Sequence, residues 1–302
     1  MTAADWGTRD PAWAGVREDV LDLGGRTVRV LRADGRPGAT QPQVLVHGLG
    51  GSASNWIDVI AGLASYGPVV ALDLGGFGHT PAESAVSLGV DGHIELVLAV
   101  ADHLEWATFA LHGNSMGGLV GTLLAADHPH RVEHLVLVSP ALPPSCPLAF
   151  LPIPRATWSG VVPMALPSRR THQLMRLIFN DPTGIRPALL EAMATDSRPR
   201  DEHHAAERSR ALLASTRSIA ALWLDPRRVY RAVDELVAPT LVLGGTADAL
   251  VPARVLRKVL ARRADWAGEV LSDHRHALML DAPAEYLARV AAWRAESDSA
   301  VA

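Results

Sequence analysis

Two periods of hydrophobicity organise this chain. Residues 20–32 alternate apolar and polar positions on either side of Gly24-Gly25, which predicts a β-hairpin with a two-glycine turn and one buried face. Further on, the alternation gives way to short unbroken apolar runs. They are Gln43-Val44-Leu45-Val46, Val69-Val70-Ala71-Leu72, Phe109-Ala110-Leu111, Leu135-Val136-Leu137-Val138 and Thr240-Leu241-Val242-Leu243. Runs of this kind predict strands covered on both faces. Helix-compatible windows at 55–64, 92–105, 119–126 and 253–263 separate them, and a strand near 266–271 precedes a last helix from 283 to about 293. Strands alternating with helices imply an α/β fold: a mostly parallel, doubly wound sheet. The glycine-rich breaks fall at the carboxyl ends of strands, where open α/β sheets place their ligands.

The pattern changes at Pro140. Residues 141–235 contain no clear strand; they open with proline-rich apolar sequence and continue as helical patches at 173–179, 187–194 and 205–224. This segment carries 13 arginines and no lysine against nine carboxylates, a net +4 in a chain of net −4. It reads as a helical lid (141–235) inserted into a core made of residues 1–140 and 236–302. Trp6 and Trp13, ahead of the hairpin, are expected to pack on the outside, and the tail from Ala295 is expected to fray.

Composition narrows the class. At 302 residues, 48% hydrophobic and 20% charged, the chain is globular with ample core. Its mild acidity gives no electrostatic footprint for nucleic acid. The single cysteine, Cys146, rules out an intramolecular disulfide and sits among prolines as a small apolar residue. The first 20 residues are charged and lack an apolar core, so no secretion signal is expected. The most apolar stretch, 141–154, is short and broken by prolines, so no membrane span is expected and a cytoplasmic location is.

The chemistry centres on Gly113-Asn114-Ser115-Met116-Gly117-Gly118. An apolar run breaks into Gly-x-Ser-x-Gly and resumes as a helical segment, the strand–turn–helix context in which a serine sits on a tight, strained turn. Acyl transfer by serine also needs a base, a carboxylate to orient that base, and donors for the oxyanion. Candidates for the first two follow predicted strands. Asp248 lies in Gly244-Gly245-Thr246-Ala247-Asp248, and His274 and His276 compete in Asp273-His274-Arg275-His276. Asp273 is a remote alternative acid. The other histidines do not form a metal site: His128, His130 and His134, or His203-His204, lack a ligand set at suitable spacing. The lid arginines Arg198, Arg200, Arg208 and Arg210 read as a solvated face. No cofactor is expected, and the partner is a small-molecule substrate.

Five motifs in order resemble a lid-bearing α/β-hydrolase of the serine hydrolase or esterase type. They are His47-Gly48-Leu49-Gly50-Gly51, Asp73 through Gly76-Phe77-Gly78-His79-Thr80, Gly113 to Gly118, Gly244 to Asp248, and His276-Ala277-Leu278-Met279-Leu280-Asp281-Ala282-Pro283. The resemblance implies Ser115 as nucleophile, Asp248 as acid and His276 as base, since the sequence after His276 fits the family's register. Arg275 replaces the family's usual glycine. It also implies an oxyanion hole from the backbone N–H groups of Leu49 and Met116, with Gly50 as a substitute for Leu49, and a structural role for His47. His47, Gly48, Asn114 and Trp158 are candidate pocket residues.

The expected activity is hydrolysis of a carboxylic ester, thioester or lactone of a small, hydrophobic substrate through an acyl-enzyme. Carbon–carbon bond hydrolysis and non-hydrolytic cyclisation or lysis are alternatives on the same triad. A non-catalytic ligand-binding protein of the same fold is the alternative of another class. Haloalkane and epoxide hydrolysis would require an aspartate at position 115.

Overall fold

A computed structural model describes residues 5–82, 88–143 and 185–301. Trp158, Cys146 and the helical patch expected at 173–179 lie outside these residues. The hairpin strands β1 (Arg17–Asp22) and β2 (Thr27–Ala33) pair antiparallel around Gly24 and Gly25, whose φ angles are +76° and +95°. The strands β3 (Gln43–Val46), β4 (Val69–Leu72), β5 (Phe109–Asn114), β6 (Val132–Val138), β7 (Thr240–Gly245) and β8 (Ala267–Leu271) are mutually parallel. Together they form one eight-stranded sheet in the order β1-β2-β4-β3-β5-β6-β7-β8, with β2 antiparallel to β4.

The unbroken apolar runs are explained by burial on both faces. Val44, Val46, Val70, Leu72, Leu135, Leu137 and Val242 belong to one core. Their immediate neighbours Leu45, Val69, Ala71, Val136, Val138, Leu241 and Leu243 belong to another on the opposite face. Helices α2 (Val90–His103), α3 (Met116–Asp127), α6 (Arg227–Glu235) and α7 (Ala253–Arg262) cover the first face. The second is covered by α1 (Ile57–Leu63), α8 (Leu278–Asp281) and α9 (Pro283–Val301). The last helix therefore continues past Ala295, where fraying was expected.

Trp6 and Trp13 are not outside. Both are almost wholly buried in the second core, in 3-10 turns at Trp6–Thr8 and Pro11–Trp13. Each indole N–H finds a carboxylate: Trp6 donates to Glu18 at 3.2 Å and Trp13 to Asp58 at 2.6 Å. An amphipathic ring with its one donor satisfied gains more from burial than from solvent.

Between β6 and β7 lie α4 (Pro187–Ser197), α5 (Glu202–Leu224) and α6. The first two pack over the strand ends, α4 against the 3-10 turn Ala53–Trp56 and α5 against α2. By contrast α6 lies along α3, in the helical layer of the core. Pairing aligns the strand ends: Val46 lies opposite Gly113, Asn114 opposite Val138, and Val138 opposite Leu243. The residues that follow β3, β5, β6 and β7 therefore emerge along one edge.

Candidate active site

Ser115 leaves β5 and precedes α3 with φ +54° and ψ −113°, a conformation that costs about 1–3 kcal/mol for a residue with a side chain. Its backbone is held on three sides. The Ser115 N–H donates to Val138 O at 3.0 Å, and its carbonyl accepts from Ala141 N at 2.9 Å and Leu119 N at 3.1 Å. The flanking glycines permit the turn: a Cβ on Gly113 would collide with the Gly117 carbonyl, and one on Gly117 with the Val46 carbonyl. Between Phe109 and Ala125, Ser115 alone is partly exposed.

His276 and Asp248 meet. His276 Nδ1 lies 2.9 Å from Asp248 Oδ2, and both side chains are nearly sealed from solvent. The other Asp248 oxygen, Oδ1, accepts from Leu250 N at 2.8 Å and Val251 N at 2.9 Å. Burial pushes the Asp248 carboxyl up, but the imidazole and the backbone amide of Val251 outweigh it and leave the group below its ordinary value. An ionised Asp248 accepts a proton-bearing Nδ1, which leaves the lone pair of His276 on Nε2. The loop approach is close. Ala247 N donates to His274 O at 3.0 Å, and a Cβ on Gly245 would collide with that same carbonyl.

His274, the competing histidine, pairs instead with Glu285 of α9 at 3.0 Å. Asp273 donates its backbone N–H to Thr246 Oγ1 at 3.0 Å. Asn114 connects the two halves of the site. Its side-chain amide donates to Val138 O at 3.1 Å and to His276 O at 3.0 Å, tying the histidine's backbone to the residue before Ser115. Among the described residues no hydrogen bond joins the Ser115 hydroxyl to His276. Such bonds are commonly long before substrate binds.

The loop after β3 faces this turn. A Cβ on Gly48 would lie 3.0 Å from Ser115 Cβ, so Gly48 passes directly beside the serine. His47 Nδ1 donates to Gly48 O at 2.7 Å, and its Nε2 accepts from Leu74 N at 3.0 Å. Burial holds the ring below its ordinary pKa, consistent with a neutral imidazole bonded at both nitrogens. Met116 is the first residue of α3, so its N–H has no partner within the helix. Among the described residues no three His, Cys, Asp or Glu side chains come together as a possible metal site, and no helix is long and apolar enough to cross a membrane.

A second cluster lies beside the site, and the sequence pattern did not reveal it. Arg29, inside β2, is 2% exposed. Its Nη1 lies 3.0 Å from Asp196 Oδ2 and 3.4 Å from both Asp73 oxygens, and its Nη2 lies 3.2 Å from Glu18. Asp196, near the end of α4, also accepts from Ser52 Oγ at 2.9 Å and from Ser54 Oγ, while His79 Nε2 approaches its Oδ1 at 3.3 Å. Arg208, expected on a solvated face, is partly buried and donates to the Asp196 carbonyl at 2.8 Å. The charged residue within Val28-Arg29-Val30 was the available signal, but nothing local names its partners.

Comparison with known proteins agrees with the topology. A family model for the alpha/beta hydrolase fold matches residues 42–283. The chain is 33% identical over 240 residues to the dihydrolipoyllysine-residue acetyltransferase component of the acetoin cleaving system of Pseudomonas putida. That match takes in 78% of this chain but only 59% of the relative. It is 28% identical over 248 residues to a pimeloyl-[acyl-carrier protein] methyl ester esterase of Aeromonas hydrophila, covering 81% of this chain and 91% of the relative. The solved 2-hydroxy-6-oxo-6-phenylhexa-2,4-dienoate hydrolase of Rhodococcus sp. strain RHA1 superposes with a TM-score of 0.74 at 22% identity, covering 92% of this chain and 98% of that one. With its sheet order, its serine turn and the match across most of its length, the chain belongs to the alpha/beta hydrolase family.

Proposed function

We propose that this protein is a serine hydrolase that cleaves a carboxylic ester, or a thioester or lactone of similar shape. The observation that carries this is the buried His276–Asp248 contact, bonded through Asn114 to the strained turn of Ser115. Ser115 attacks the substrate carbonyl while His276 Nε2 takes its proton. Asp248 holds the tautomer and stabilises the imidazolium. The amides of Met116 and Leu49 receive the oxyanion, each contributing about 3–4 kcal/mol in the transition state. His276 returns the proton to the leaving alcohol and then activates water, which releases the acid. The methyl ester esterase among the relatives is consistent with an ester substrate, while the 2-hydroxymuconate semialdehyde hydrolase among them keeps carbon–carbon cleavage as the second reading.

In this reading α4 and α5 belong to a lid over the site, while α6 rests on the core. Leu49, Leu212 and Trp223 remain only partly buried at the rim of the first core, and Trp223 donates to Ala141 O at 2.9 Å, two residues past Ser139. This apolar rim supports a small hydrophobic substrate.

A short-chain nitrophenyl ester, assayed with wild type and Ser115→Ala, tests the proposal. A product burst and fluorophosphonate labelling of wild type, both lost in the variant, are expected. A wild type inert to both reagents would sink the proposal and favour a ligand-binding role. Labelling without ester turnover, together with cleavage of a β-diketone, would move the protein to carbon–carbon hydrolysis.

A further inference from the structure

The loop that carries the Leu49 amide is anchored unevenly. On the strand side it has His47, bonded to Gly48 O and Leu74 N. Gly50, at φ +77°, lets the chain turn in between. On the far side the bonds run to Asn55 and to two buried acids. Ala53 N donates to Asp73 Oδ1 at 2.6 Å, Ser52 N to Asn55 Oδ1 at 2.7 Å, and the hydroxyls of Ser52 and Ser54 both donate to Asp196 Oδ2. Asp196 is 142 positions from Ser54 in sequence and arrives on α4. It is 3% exposed, and the same oxygen accepts from Arg29.

We propose that Asp196 is a positioning residue for the reaction: it fixes the loop from Gly48 to Ser54 so that the Leu49 amide stands where the oxyanion forms. This rests on the serine hydrolase reading above. Docking of α4 is already served by the buried Leu189 and Ala192 and by the Arg29–Asp196 ion pair. The two serine hydroxyls add a separate linkage, from the carboxylate to the loop. The other end of α4 shows the contrast. There Arg186 pairs with Asp10 and Asp58, residues of an N-terminal turn and of α1, and touches no part of the loop. One helix is thus tied down by charged side chains at both ends, and Asp196 is the one that accepts hydrogen bonds from the oxyanion loop.

The two linkages can be separated. Ser54→Ala, alone and with Ser52→Ala, unties the loop and leaves the Arg29–Asp196 pair in place. Arg186→Ala frees the opposite end of α4 without touching the loop. With a short nitrophenyl ester, the serine variants are expected to lower kcat roughly tenfold, a fraction of what complete loss of an oxyanion donor does. KM should stay within about twofold, because a short acyl chain makes few contacts with α4. The rate of fluorophosphonate labelling of Ser115 should fall by the same factor as kcat, since the phosphonyl oxygen uses the same donors. Arg186→Ala should leave kcat and labelling within about twofold of wild type, whatever it does to the melting temperature. Wild-type kcat and labelling in the double serine variant would overturn the proposal. So would an equal loss in Arg186→Ala, which would make the effect one of docking alone. If wild type neither turns over ester nor labels, the hydrolase reading itself fails, and this proposal fails with it.

Discussion

The Ser115–Asp248–His276 group and the Arg29–Asp73–Asp196 cluster lie side by side at the carboxyl edge of the sheet, yet they are bonded in opposite ways. In the first, the reactive hydroxyl has no bond to His276 among the described residues, and a single carboxylate faces a single imidazole. In the second, one oxygen of Asp196 accepts from Arg29, Ser52 and Ser54. Asp73 likewise accepts from Arg29, Ala53 N and His79 N. On the serine hydrolase reading proposed above, the group that would exchange protons with a substrate is left with bonding capacity to spare. The carboxylates of the second cluster each take several donors, because a buried charge with a missing partner is strongly destabilising.

This contrast can be broken most decisively at the reactive group. Asp248→Asn should lower kcat by about ten-thousand-fold, with the urea midpoint little changed, because it puts His276 in the wrong tautomer and removes a charge rather than volume. A loss of only a few-fold in steady-state kinetics would mean that Asp248 does not orient the base. The next effect belongs to the buried cluster. Asp196→Ala should cost about 3–5 kcal/mol in urea unfolding, since Arg29 and two hydroxyls lose their shared acceptor. A change below about 1 kcal/mol would show that the cluster is hydrated and not sealed.

Titration sharpens the same point. Burial raises the Asp196 carboxyl, but His79, Arg29, Ser54 and Ser52 together hold it well below its ordinary value of 3.8. A carboxyl depressed in the folded state stabilises in full above its unfolded pKa and loses that contribution as pH falls toward the folded one. Stability followed from pH 7 down should therefore fall more steeply below about pH 4 in wild type than in Asp196→Asn. Parallel curves would remove Asp196 from the acid transition. The smallest effect is expected at Arg186. Its side chain is 39% exposed, so Arg186→Ala should reduce stability by no more than about 1 kcal/mol in chemical denaturation, despite its two carboxylate partners.

Much of this molecule was legible in the sequence because its signals are local. A strand buried on both faces must be apolar at consecutive positions, and Val44-Leu45-Val46 or Leu135-Val136-Leu137-Val138 announces that without any tertiary knowledge. The hairpin needed two adjacent residues at positive φ, and Gly24-Gly25 declared it. Ser115 was marked by glycines two positions to either side, whose missing Cβ atoms the turn requires. The misreadings were of residues whose surroundings come from elsewhere in the chain. Trp6 and Trp13 look exposed until Glu18 and Asp58 supply their acceptors, and Arg208 looks solvated until Asp196 and Gly78 face it.

By itself, the sequence determined the α/β alternation and the strained serine turn, because each follows from spacing within one strand and the loop after it, and the order serine, aspartate, histidine came from the resemblance of the motifs at three strand ends. The sequence after His276 already favoured it over His274 by resemblance, and the tertiary structure shows the contacts behind that choice: one short loop turns His274 toward Glu285 and His276 toward Asp248. Only the tertiary structure brought Asp196 to Ser52, Ser54 and Arg29. Contacts across more than a hundred residues are set by how layers pack, and no local pattern in the chain records them.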